Sequence, residues 1–242
     1  MLILNLGCGA RTADHPDVVN VDWSLNIRIK KSRLLRLAVR PLLDSRRRER
    51  LDQMAGNLLA HDLSKGIPFA SDSVDTVYHS HVMEHLDRPV ALQFLSEILR
   101  VLKPGGICRI VVPDFEFACR AYVQHLDRCE QEAGEAAAHE QFVETILEQS
   151  VRREAAGTTG RRGLPRLVEQ MVLGDARQRG ETHQWMYDRI SLPYLLKATG
   201  YRQVEVRAWN SSRIPGWNEI GLDRGIDGGE YTPHSLYVEA QK

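Results

Sequence analysis

The groups best suited to chemistry in this chain are the backbone of Gly7-Cys8-Gly9, the carboxylates of Asp22 and Asp114, and the imidazoles of His81, His85 and His183. Glycines leave bare backbone where a ligand must come close. A carboxylate closing the next strand, as Asp22 closes Val18-Val19-Asn20-Val21, accepts the two hydroxyls of a ribose in bidentate fashion. Strand, glycine turn, strand, acid is how parallel α/β sheets hold an adenosine-containing cofactor. The turn continues Ala10-Arg11-Thr12 and lacks the third glycine of G-x-G-x-x-G, which disfavours a dinucleotide. The imidazoles and Asp114 are the candidates for taking up a proton.

These groups need a sheet to position them. Apolar periodicity predicts strands near 2–6, 18–21, 57–60, 73–78, 107–113, 203–209 and 234–240, with helices between them. Seven strands alternating with helices make an α/β fold, a doubly wound, mostly parallel sheet of Rossmann-like kind. Asp87 before Arg88-Pro89 predicts a helix start. That helix carries Leu92, Leu95, Leu99 and Leu102 on one face and stops at Pro104-Gly105-Gly106. Ser191 and Gly200 bracket a second helix, with Leu195 and Leu196 inward. The expected organisation is one domain over 1–242, with a basic insertion at about 24–57 and a helical insertion at about 115–180, the latter broken at Gly157–Gly163.

Further motifs follow in a fixed order: Asp62-Leu63, Ile67-Pro68-Phe69, Ser73-Val74-Asp75-Thr76-Val77-Tyr78, His81-Val82-Met83-Glu84-His85-Leu86, and Leu99-Arg100-Val101-Leu102-Lys103-Pro104-Gly105-Gly106. Together with the glycine turn, this series resembles the class I S-adenosylmethionine-dependent methyltransferases, in the small-molecule, type 11-like branch with E-H-L after the fourth strand. The resemblance covers 1–114 and returns at His183–Val206. It implies S-adenosylmethionine as cofactor, with Gly7, Cys8 and Gly9 at its methionine part and Asp22 and Trp23 at the ribose. It further implies Asp62 at the adenine amino group, Leu63 beside the ring, and His79 and Ser80 near the sulfonium. Asn5 stands where the family usually has an acid.

A sulfonium methyl is already activated, so such a protein supplies orientation, a dry site and, for a hydroxyl acceptor, a base. His81, just past strand four, is one candidate. Asp114 either faces the acceptor or caps the next helix. His183, in His183-Gln184-Trp185-Met186-Tyr187-Asp188, resembles the segment that closes over the pocket, where Tyr187 is either a substrate contact or core. The resemblance gives Glu84-His85 a mainly structural role in the loop.

The net charge of zero hides a split. Residues 24–58 hold ten cations and three acids, a net +7, whereas 115–156 hold nine acids and four cations, a net −5. The two segments either pair with each other or serve partners. Leu34, Leu35, Leu37, Val39, Leu42 and Leu43 among the cations predict an amphipathic helix, which packs on the sheet edge or meets anionic lipid or an anionic substrate. The resemblance, together with this basic segment, implies an acceptor that is a small molecule, or a glycan or lipid-linked one. Nucleic acid is disfavoured, since no Asn-Pro-Pro-Tyr follows strand four. G-x-S-x-G and the P-loop are missing too, against a hydrolase or nucleotidase. With no run of about 18 apolar residues and a strand directly after Met1, the expected location is the cytoplasm, with peripheral contact at the inner membrane face. Cys8, Cys108, Cys119 and Cys129 form no C-x-x-C pair and are read as having no histidine at metal spacing, so no metal is expected. The competing class is a non-catalytic, cofactor-binding partner that keeps the fold.

Overall fold

A computed structural model describes residues 1–150 and 182–242. The strands are β1 (Ile3–Leu6), β2 (Val18–Asp22), β3 (Leu58–Ala60), β4 (Val74–Ser80), β5 (Leu102–Pro113), β6 (Arg202–Arg207) and β7 (Ser235–Gln241). They form one sheet in the order β3-β2-β1-β4-β5-β7-β6, in which β7 alone runs antiparallel to its neighbours. The direction of progression reverses between β1 and β4, which pair in parallel with Leu6 opposite His79. A ligand crevice in an open α/β sheet lies beyond the carboxyl ends of the strands at such a point.

β1 is buried along its whole length because helices cover a parallel sheet on both faces. The same double burial runs along β4, where Val77, Tyr78 and His79 are all inaccessible. That strand runs two residues past its expected end and includes His79 and Ser80.

Helix α4 (Arg88–Val101) follows the expected start, with Pro89 in its first turn. Its inward face differs: Ala91, Phe94, Leu95, Ile98 and Val101 are buried, Leu92 is exposed and Leu102 already belongs to β5. Asp87 caps it through its carbonyl, which accepts the Ala91 N–H at 2.8 Å, and not through its side chain. The helix at Ser191–Thr199, here α7, ends at Gly200 in the left-handed region as expected. Its start is held by Asp188, whose Oδ1 accepts the N–H groups of Ile190 and Ser191 at 2.9 and 2.7 Å. Ser191 Oγ accepts the Asp188 N–H in return, so the cap expected of Ser191 is supplied mainly by an acid three residues earlier.

The basic segment is three short helices, α1 (Leu25–Lys31), α2 (Arg33–Val39) and α3 (Ser45–Gln53), instead of one amphipathic helix. Ser32 caps α2 by accepting the Leu35 N–H, and Pro41 in the following turn breaks continuity. Ile27, Ile29, Leu51 and Met54 pack with Cys8 and Leu58 at the sheet edge. Leu34 and Leu37 stay 80% and 68% exposed. The helical insertion begins as expected with α5 (Phe115–Gln131) and α6 (Glu140–Gln149), joined by a 3₁₀ turn. Its remainder, including Gly157–Gly163, lies outside the described residues.

The cysteine reading needs one correction. His125 precedes Cys129 by one helical turn, and its Nδ1 lies 3.3 Å from the thiol sulfur. A search for paired cysteines overlooks this His-x-x-x-Cys spacing.

Residues 208–224 are clamped to the sheet by a fully buried guanidinium. Arg109 Nε donates to Asp223 Oδ2 at 2.7 Å and Nη1 to Glu239 Oε1 at 2.8 Å. Its remaining donors reach the carbonyls of Ala208, Trp209 and Ser211. Tyr78 and Trp217 donate to the same Asp223, which completes the network.

Candidate active site

β1 ends in a turn whose two glycines have positive φ, +62° at Gly7 and +53° at Gly9. A Cβ at Gly7 would stand 2.6 Å from Val82 Cγ2, so the loop after β4 rests directly on this backbone, whereas Gly9 faces open space. Asp22 Oδ2 accepts the Gly9 N–H at 2.8 Å and its Oδ1 accepts the Ser24 N–H. The carboxylate is thus fixed against the turn with lone pairs to spare. Asn5 explains its departure from an acid: its Nδ2 donates to Arg11 O and Asn20 Oδ1, both at 2.9 Å, which a carboxylate cannot do. Asn20 and Asn57 continue the brace to Ala13, His15 and Val18. Sequence reasoning missed this asparagine ladder.

Gly7, Cys8, Ser80 and His81 come together in a cavity of about 300 Å³, with Asn5, Arg11, Tyr78, Tyr231 and Thr232. Arg11 donates to the carbonyls of Gly221 and Leu222 and stacks 4.0 Å from the Tyr231 ring centroid, which fastens the turn to the far end of the chain. Burial, with Asp22 nearby, pushes the Cys8 thiol up, so it stays a neutral lining group. A second cavity of about 120 Å³ joins at His81 and includes Asp114, Phe117, Thr145, Thr232 and Ser235. Leu63 lines a third, apolar cavity of about 220 Å³ with Val82, Leu86 and Phe94.

Six expected contacts, Gly9, Asp22, Asp62, Trp23, His79 and His183, stand outside the walls of these three cavities. Asp62 caps the turn at Leu63–Lys65, its Oδ1 accepting Ser64 N–H and O–H, and those bonds hold its carboxyl below the usual range. Trp23 is half exposed, with the Arg28 guanidinium 4.9 Å from its ring. The His79 ring turns into the core against Phe94, at 5.3 Å between centroids, and leaves Ser80 to reach the cavity. His183 packs edge-on against His85 at 4.9 Å, and its Nδ1–H donates to Gln149 O at 3.2 Å.

His81 is the first residue beyond β4 and takes the left-handed conformation, φ +54°. A non-glycine residue held there is strained, and such strain concentrates at functional sites. Its Nδ1 lies 3.1 Å from Glu84 Oε1 and its Nε2 3.2 Å from Ser235 Oγ. The Ser235 hydroxyl proton already goes to Thr232 O at 2.8 Å, so Nε2 must be the donor to Ser235. The ring is thus held at both nitrogens, by the Glu84 carboxylate at Nδ1 and by Ser235 at Nε2.

Glu84 is buried to 1% exposure, which raises its pKa, yet the His81 hydrogen bond and the charges of His81 and His85 outweigh burial and hold it below the usual range. Its orienting role was readable from the spacing, an acid three residues after His81. Burial lowers the His85 imidazole, with Glu84 pulling the other way, and its Nδ1–H donates to Thr182 O. At Asp114 both open readings coexist. One oxygen caps α5 through the N–H groups of Glu116 and Phe117, while the residue also walls the second cavity, and burial raises its carboxyl despite those bonds. Tyr187 is core, with burial pushing its hydroxyl up to about 12.

The profile of a methyltransferase domain matches residues 4–110. Over that stretch, a little under half of its length, the chain is similar to methyltransferase domains. An uncharacterised methyltransferase of Mycobacterium tuberculosis is 54% identical over 41 residues, which is 17% of this chain and 15% of that relative. The chain therefore spans well under two thirds of the curated relatives it matches. Among solved structures, a methyltransferase from Archaeoglobus fulgidus superposes with a TM-score of 0.43 at 15% identity, over 99% of this chain and 85% of the other. The Burkholderia thailandensis 1,6-didemethyltoxoflavin N1-methyltransferase, solved with its substrate and S-adenosylhomocysteine, gives 0.45 at 13% identity, over 100% and 70%.

The buried His79 predicts a pH-dependent stability. Burial lowers its imidazole to about 4, with Glu84 offsetting part of the effect, while an unfolded histidine titrates near 6.5. The folded ring stays neutral where the unfolded one is charged. Its contribution is thus complete above about pH 6.5 and is lost as pH falls towards 4, amounting to about 2 kcal/mol at pH 5. Denaturant titrations of wild type and His79→Leu at pH 7.5 and pH 5 check this. The variant loses about 2 kcal/mol less on acidification, and equal losses in both proteins contradict it.

Proposed function

We propose that this chain moves the methyl group of S-adenosylmethionine to a hydroxyl or amine on a small polar head, and that the head belongs to a glycan or lipid-linked acceptor. The observation that carries this reading is the position of His81, which walls both the cavity at the glycine turn and the smaller one behind it. A donor in the first and an acceptor in the second meet at one imidazole.

The residues around the first cavity fit the donor. Gly7 and Gly9 admit a methionine chain, Arg11 offers its carboxylate a cation, Asp22 keeps lone pairs for ribose hydroxyls, and the slot at Leu63 and Phe94 suits adenine. S-adenosylmethionine supplies an activated methyl carbon for in-line displacement. The protein's part is to orient the acceptor between Phe117 and Thr232, exclude water and take the hydroxyl proton at His81 Nε2, while Glu84 holds the Nδ1–H. For that transfer Nε2 must first lose the proton it now directs at Ser235.

Leu34 and Leu37, exposed and each directly following an arginine, Arg33 and Arg36, support a lipid-linked acceptor and peripheral contact with an anionic interface. The residues after β4, His81-Val82-Met83, argue against planar amino groups of nucleic-acid bases. The test incubates the protein and methyl-labelled S-adenosylmethionine with fractionated cell extract. Label is expected in the organic-extractable or polymer fraction, and Asp22→Ala weakens cofactor binding by about 1.5–3 kcal/mol. Label confined to aqueous low-mass products overturns the glycan or lipid assignment, and no label in any fraction favours the non-catalytic partner.

A further inference from the structure

The linker between α5 and α6 gathers soft and imidazole donors that methyl transfer does not use. His125, nearly inaccessible on α5, presents Nδ1 2.9 Å from His139 Nδ1 and 3.3 Å from Cys129 Sγ. The three donor atoms lie within 4.8 Å of one another. A tetrahedral zinc ion, with bonds of about 2.0–2.1 Å to nitrogen and 2.3 Å to sulfur, holds its ligands about 3.3–3.6 Å apart. The two His125 separations fall within about half an ångström of that.

The other side of the His125 ring carries a second, independent sign. Glu135 Oε2 lies 3.4 Å from Nε2, on the 3₁₀ turn that leads from Cys129 to His139. A carboxylate there keeps the proton on Nε2 and leaves Nδ1 bare towards the other two donors, which is the outer-shell arrangement of a metal-bound histidine. Phe142, stacked on His125 at 4.1 Å, and Tyr122, 5.1 Å from His139, surround the cluster with apolar surface.

We propose that His125, Cys129 and His139 bind a zinc ion, with Glu135 orienting His125 and the fourth position left to water or an incoming ligand. One thiolate and two imidazoles are a donor set for zinc and its neighbours, not for calcium or magnesium. The ion would pin the end of α5 to the start of α6. Phe117 at the other end of α5 and Thr145 on α6 wall the acceptor cavity, so the clamp would set the separation of that cavity's walls. Metal binding itself does not depend on the methyl-transfer reading.

The test titrates the full chain, stripped with a chelator, with Co²⁺ as a spectroscopic stand-in and then with Zn²⁺. The expected result is one equivalent of Co²⁺ with a thiolate-to-cobalt charge-transfer band, displaced by Zn²⁺. Cys129→Ser abolishes the band, and Glu135→Gln weakens affinity about 10- to 100-fold. Absence of a thiolate band in the wild type overturns the site whatever the variants do. So does a band that survives in Cys129→Ser, because the metal then sits elsewhere, as at Glu84, His85 and His183.

Discussion

Replacing His81 by Asn lowers turnover about 10²-fold or more and leaves S-adenosylhomocysteine affinity within a factor of a few. General-base contributions are typically about 10² to 10⁴. Asn is the informative replacement because it tolerates the left-handed backbone at position 81, so the loss reports on the imidazole and not on strain in the loop. Glu84→Gln should follow the same pattern, since the amide no longer holds the Nδ1–H with a charge. Single-turnover methyl transfer and calorimetric titration on the same preparations separate chemistry from binding. Near-normal turnover in His81→Asn with loss in Asp114→Asn moves the base to the end of β5. Activity in both leaves proximity and orientation as the whole of catalysis.

The second large effect is structural. Arg109→Met should destabilise the protein by about 3–5 kcal/mol, because it strands the carboxylates of Asp223 and Glu239 in a place without water. Equilibrium denaturation at pH 7 measures this, and a loss below about 1 kcal/mol contradicts it. Neutralising Asp223 and Glu239 in the same variant should recover part of the loss, since the penalty lies in the unpaired charge. The network also carries a sign with pH. Burial raises Glu239, but the Ser212 hydroxyl, the Arg213 N–H and Arg109 together hold it below the ordinary range. A depressed acid contributes stability above its unfolded pKa and loses it as pH falls through the folded one, so this network weakens in acid.

The glycine turn and Asp22 were legible in the sequence because strand, turn and acid lie within about twenty residues and each has one physical reading. His79 was misread for the opposite reason. In a strand buried on both faces, alternation gives no end signal, so the ring was assigned to a loop when the strand runs on to Ser80. Arg109 gave no local sign at all, since its acids come 114 and 130 positions later. The His125-Cys129 pair stood in plain view at helical spacing and was missed by looking for cysteine pairs. Its partner His139 becomes visible only once the chain has turned back through Glu135.

The fastening of Arg11 to Gly221 and Leu222 bears on how the protein comes into being. During synthesis the glycine turn and β1 emerge well before their partners, since the carbonyls that anchor Arg11 and the strand that flanks β5 arrive more than two hundred residues later. Closing such a loop makes folding slow, and until it closes the early strands have an open edge and exposed apolar faces. The stretch 4–110 that the methyltransferase profile matches thus relies on residues far beyond it for this anchoring. The cavity at the glycine turn lacks its Tyr231 and Thr232 wall until that later segment has docked.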